Sequence, residues 1–112
     1  MSIHCNAANG SAKGAETYYF ADSRAGRKLA NHIQWQLINS LPLVDRGIKT
    51  DNFVVLTNTI MPAVLVETAF IDNLSDAALL LDKHFIEPAT MRVFSLSKFI
   101  ITIKIYKKYG AK

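Results

Sequence analysis

One cysteine, Cys5, in 112 residues rules out an internal disulfide framework. It leaves the compartment open, because many secreted bacterial proteins also lack bridges. Long hydrophobic runs are missing too, and no segment reaches the ~18 uninterrupted apolar residues of a membrane span. Met1 is followed by polar Ser2, His4 and Asn6 where a signal peptide would have basic and then apolar residues, so nothing here reads as an export signal. There is no His-x-x-x-His or Cys-x-x-Cys spacing, no internal repeat, no low-complexity tract and no linker. What is present is half apolar, too hydrophobic for disorder, and of a length for one domain with a modest core.

Acidic residues are absent from residues 89–112, which hold Arg92, Lys98, Lys104, Lys107, Lys108 and Lys112. The net charge of +4 is therefore a property of that tail, since residues 1–88 carry seven basic and nine acidic side chains. A nucleic-acid partner is not expected for the body of the chain. The tail reads either as a cationic segment for an anionic polymer or membrane surface, or as the solvated face of a terminal helix.

Ser2-Ile3-His4 reads as the end of a strand with nothing before it. A loop over residues 9–14 leads to a strand at Glu16–Phe20. Asp22 or Ser23 then caps an amphipathic helix carrying Ala25, Leu29, Ala30, Ile33, Leu37 and Ile38, which Pro42 ends. Asp45-Arg46-Gly47 reads as a turn, and Phe53–Leu56 and Ala63–Val66 as short strands covered on both faces. Asn73 with Asp76 resembles a capping pair for a helix reaching Lys83. For residues 93–106, β-branched content favours strand, while the lack of a turn before them leaves helix open. Alternating strands and helices predict an α/β fold with a mixed, mainly parallel sheet flanked by helices.

Glu67 directly follows an apolar run, so it is expected at the carboxyl end of a buried strand, the edge where open α/β sheets place their sites. Desolvation there suits a general base; the alternative is a glutamate that turns to solvent. His4, at the end of its own strand, reads as a zinc ligand or as a hydrogen-bonded structural histidine. His32 and His84 have no partner at ligand spacing and read as surface or boundary residues. Strand alternation sends Cys5 to the face opposite His4, which favours a buried, inert thiol. Glu16 reads as a second acid at the same sheet edge or as an ordinary edge charge. Arg46 presents a guanidinium to an anion or merely completes its turn, and Tyr18, Tyr19 and Phe20 are core and edge aromatics or a sugar-stacking platform.

Taken in order, Ser2–Ala7, Lys13–Tyr19, Asp45–Lys49, Val54–Leu56, Met61–Glu67 and Phe70–Asn73 with Asp76 resemble the zinc-dependent N-acetylmuramoyl-L-alanine amidases of bacterial cell-wall and phage-lysis systems. The similarity covers residues 1 to about 83. It implies a hydrolase that cuts peptidoglycan between the lactyl group of muramic acid and L-alanine, acting in the cell wall or outside the cell. It also implies zinc, with His4 as one ligand, Glu67 as catalytic glutamate, and Asn6, Glu16 and Arg46 at the substrate. Members of that family carry a histidine and a glutamate ligand upstream of the segment matching Ser2–His4, so the chain is expected to be an incomplete catalytic domain lacking its first strands and helix. An unpaired sheet edge at Ser2–His4 and self-association through it follow from that expectation. Cys5 stands where a small residue is usual, and Thr68-Ala69 where many members have glycine. Tyr106–Gly110 is similar to the family's closing helix, which favours helix over strand for residues 93–106.

Overall fold

The computed structural model describes residues 1–84 and a short strand at residues 102–103. A five-stranded mixed sheet runs in the order β3-β2-β4-β1-β5. Its strands are β1 (Ser2–Asn6), β2 (Ala15–Tyr19), β3 (Asp45–Thr50), β4 (Val64–Phe70) and β5 (Thr102–Ile103). Pairings β1–β4, β1–β5 and β2–β3 are parallel, while β2–β4 is antiparallel. The mixed, mainly parallel α/β architecture expected from the sequence is therefore the one observed.

Helix α1 (Arg24–Ser40) starts where Ser23 Oγ accepts the Gly26 amide at 2.9 Å, and it packs on one face of the sheet. Its buried positions are Gly26, Ala30, Ile33, Gln34 and Leu37, a stripe at helical spacing. Ala25, expected in that stripe, is exposed; Gly26 takes the contact, because a side chain there would meet Ser23 and the Ala63 carbonyl. With Ala15, Val64, Val66 and Ala69 from the strands, the stripe makes the core. Gln34 is the polar member of this core. Its Nε2 donates to the Ala15 carbonyl at 2.9 Å and to Asp45 Oδ1 at 2.7 Å, and its Oε1 accepts from the Thr17 hydroxyl at 2.8 Å. One side chain thus ties α1 to β2 and β3.

Helix α3 (Leu74–Leu80) is capped by Asn73, whose Oδ1 accepts the amides of Ser75 and Asp76. Asp76 does not reach back to its cap as a capping box would. Its buried Oδ2 accepts the Gly14 and Phe70 amides, both at 2.8 Å, and so joins the loop before β2 to the end of β4. Gly14 has φ +104 and its Cα lies against Val44, where a Cβ would come within 2.2 Å of the Val44 carbonyl oxygen. No other residue fits that approach.

Several local expectations are corrected. Phe53–Leu56 is not a strand: residues 54–57 form a single helical turn, α2 (Val54–Thr57), with Phe53 as its cap. Its apolar side comes from Phe53 and Leu56, three residues apart, while Val54 is 71 % exposed and Val55 lies outside as well. Local hydrogen bonds onto the Phe53 carbonyl outweigh β propensity there. Asp45-Arg46-Gly47 is not a free turn but the start of β3, carrying a bulge in which Arg46 and Gly47 together face Glu16. Gly47 holds the positive φ of +75 that this bulge needs. Strand β4 runs past Glu67 to Phe70, so Glu67 is central rather than terminal. The edge expected to be bare is paired at Ser2 and Ile3 by Thr102 and Ile103 of β5. Within residues 93–106, where helix was favoured, Thr102–Ile103 form strand β5, and the rest of the basic tail, Tyr106–Gly110 included, lies outside the described residues. Among those described, no helix is long and apolar enough to cross a membrane.

Candidate active site

Three strands place His4, Glu67 and Glu16 side by side. His4 is the register partner of Glu67 across β1–β4, and Glu67 that of Glu16 across β4–β2. Register partners share a face of the sheet, here the one opposite α1. Between Glu67 and Phe70, β4 has one residue more than β1, so Phe70 pairs with Asn6 and faces the same side as Glu67. The Arg46 guanidinium lies over the Phe70 ring, 4.9 Å from its centroid.

Glu16 is the hub of this face. It is 2 % exposed and gathers four partners. Asn6 Nδ2 donates to Oε1 at 3.0 Å and the Tyr18 hydroxyl to the same atom at 2.7 Å. Arg46 Nε donates to Oε2 at 2.8 Å, and Lys49 Nζ also reaches Oε2. Burial pushes the Glu16 carboxyl up, but hydrogen bonds from Lys49, Arg46 and Tyr18, together with the charge of Lys49, outweigh it and hold the group below the ordinary glutamate value. The Tyr18 phenol moves the other way, raised by burial and then by the charge it faces on Glu16. Phe53 meets Tyr18 edge-on, with ring centroids 5.3 Å apart, and covers this side of the hub.

Glu67 is 8 % exposed in the middle of β4, and its charge contributes to the raised position of Tyr18. It is therefore a buried carboxylate and not one turned to solvent. His4 Nε2 lies 2.7 Å from the Ser2 hydroxyl. Burial raises the Cys5 thiol and the charge of Glu67 adds to this, against a hydrogen bond with Thr68 that lowers it; the residue is half-buried and not the fully buried thiol expected. His32 and His84 are exposed and far along the chain from this row, as expected.

The face thus brings together all five residues singled out beforehand, His4, Asn6, Glu16, Arg46 and Glu67. Sequence reasoning missed two members. Tyr18 was taken for a core or sugar-stacking aromatic and Lys49 was given no role, although alternation from Glu16 puts Tyr18 on the site face and pairing puts Lys49 beside it. Zinc is the family's implied metal, yet no group of three histidine, cysteine or carboxylate side chains with metal-binding geometry occurs among the described residues. One imidazole beside Glu67 falls short of the three protein ligands that a zinc hydrolase needs.

The N-acetylmuramoyl-L-alanine amidase family model matches residues 1–93. The chain belongs to that family. LytC of Bacillus subtilis, named an N-acetylmuramoyl-L-alanine amidase, is 48 % identical over 81 residues, which are 70 % of this chain and 16 % of LytC. The endolysin of Bacillus phage SPP1 is 39 % identical over 92 residues, covering 77 % of this chain and 34 % of the endolysin. Among solved structures, the catalytic domain of the amidase CwlV from Bacillus (Paenibacillus) polymyxa var. colistinus superimposes with a TM-score of 0.75 at 34 % identity, over 81 % of this chain and 50 % of that one. The chain therefore spans about half of that amidase catalytic domain and a smaller share of LytC and the endolysin.

Proposed function

We propose that this chain acts on peptidoglycan as part of an N-acetylmuramoyl-L-alanine amidase centre, cutting the amide between the muramic lactyl group and L-alanine at the cell wall. The observation that carries the reading is Glu67, a buried carboxylate flanked across the sheet by His4 and Glu16. Glu67 takes a proton from the attacking water and returns it to the leaving amine of L-alanine, so that the C–N bond breaks and a carboxyl and a free amino terminus form. Asn6, Arg46 and Lys49 form the rim that meets the peptide stem. Glu16, sealed beneath them, aims these donors. Together Arg46 and Lys49 exceed the single charge of Glu16 and favour an anionic group of the stem there. His4 fits the role of one zinc ligand, and the described residues do not complete a metal site, so no step is assigned to the metal.

The test is to incubate the chain with purified peptidoglycan and count new L-alanine amino termini. With zinc supplied in excess release is expected, and Glu67→Gln lowers it at least ~100-fold, the usual scale for losing a general base. Release that survives Glu67→Gln overturns the assignment. The shortfall in metal ligands favours a second reading, a wall-binding but non-catalytic piece of such an enzyme; binding to peptidoglycan without any release supports it.

A further inference from the structure

On the α1 side of the sheet, beside β3, lies a groove of about 640 Å³, within the size range of small-ligand sites. Asn31, His32, Trp35, Gln36, Asp45 and Gly47 line it. Trp35 is the sequence's only tryptophan and is 62 % exposed, although its neighbours Ile33, Gln34 and Leu37 on the same helix are buried. Its position is fixed by the helix, and its own carbonyl accepts Asn39 Nδ2 at 2.7 Å. Asp45 is fixed as well, since its Oδ1 accepts from Gln34 Nε2 at 2.7 Å and from the Gly47 amide at 2.8 Å. Above Gly47 the space is open, with nothing within 4 Å of where a Cβ would stand.

An accessible indole set among amide and carboxylate groups and the His32 imidazole, with no lysine or arginine among the described lining residues, has the chemistry of a site for a neutral ring sugar. The C–H face of a pyranose stacks on the indole, while hydroxyl and acetamido groups exchange hydrogen bonds with Asn31, Gln36 and Asp45. Strand β3 links this groove to the catalytic face. Asp45 and Ile48 pair with Ala15 and Thr17 on the α1 side, while Arg46 turns to Glu16 and Lys49 pairs with Tyr18 on the other. We infer that the groove is a saccharide subsite that takes β-linked N-acetylhexosamine units of a glycan strand and so holds wall polymer on the face of the sheet opposite Glu67. The identity of the sugar rests on the peptidoglycan reading above.

The probe is chitotetraose, a peptide-free β-1,4 oligomer of N-acetylglucosamine, titrated into the chain and into Glu67→Gln while the emission of Trp35 is followed. A saturable change with a shift to shorter wavelength is expected in both, because the sugar displaces water from the indole. Asn31→Ala with Gln36→Ala keeps the indole and raises Kd about tenfold. Calorimetric titration, which does not need the indole, loses its signal in Trp35→Ala and keeps it in Trp35→Phe. No saturable emission change at millimolar sugar, or undiminished heat in Trp35→Ala, overturns the inference. Chitotetraose has no muramoyl–alanine amide, so the two readings fail separately. Sugar binding without L-alanine release removes only the amidase assignment, and release without an emission change removes only this groove.

Discussion

Glu16 is the residue on which the catalytic face is built, and burying its charge is tolerable only because two cations and two neutral donors meet it. Its folded carboxyl titrates below the ordinary value of 4.5, so its contribution is fully present above that pH and is lost as pH falls through the folded value. Glu16→Gln is expected to cost about 2 kcal/mol at pH 7, below the usual cost of breaking a buried pair because Arg46 and Lys49 are each about one-third exposed and can turn to water. Thermal melts of the two proteins should differ at pH 7 and converge as pH is taken below 4.5. A difference that persists at low pH would mean that the cost comes from packing and not from charge. The sequence placed Glu16 beside the site through its glycine-flanked loop but could not tell a hub from an edge charge. That distinction depends on Lys49 and Arg46, more than 29 residues further along the chain, and no local pattern reports it.

Among the elements, the long ones were legible and the short ones were not. Helix α1 repeats its apolar stripe over 17 residues, and β4 opens on the apolar run Val64–Val66, so periodicity and composition suffice to find both, though not to see that β4 continues through Glu67 to Phe70. Helix α2 has four residues and β3 begins in a bulge; both are decided by what they pack against. Strand β3 is held to α1 chiefly through Gln34, whose amide bridges the Ala15 carbonyl and Asp45. Gln34→Leu keeps the volume and removes those bonds, leaving the Thr17 hydroxyl without its acceptor. A loss of about 1–3 kcal/mol is expected, read as a fall in melting midpoint of roughly 4–8 °C per kcal/mol. Hydrogen exchange should rise in β3 before it rises in β4, because β4 lies between two strands while β3 pairs with one. Equal protection in both would show that Gln34 does not hold β3 in place.

At the scale of the molecule, the sheet brings five chosen residues onto one face, yet only one of them is a histidine. The sequence contains just two other histidines, and both are exposed, His32 on the outside of α1 and His84 beyond α3. Among the described residues carboxylates do not make up the difference, because Glu16 is already committed to Arg46 and Lys49 and no group of three ligating side chains occurs. A metal that binds the folded state stabilises it by RT ln(1 + [L]/Kd), and a site with one imidazole has a Kd near or above micromolar zinc. Dialysis of the chain against a chelator should therefore move its melting midpoint by no more than the equivalent of about 0.5 kcal/mol, roughly 2–4 °C. Zinc measured after gel filtration should fall well short of one ion per chain. One retained zinc, with a midpoint that collapses on chelation, would show that the 112 residues complete a metal centre that the geometry of His4, Glu67 and Glu16 does not provide.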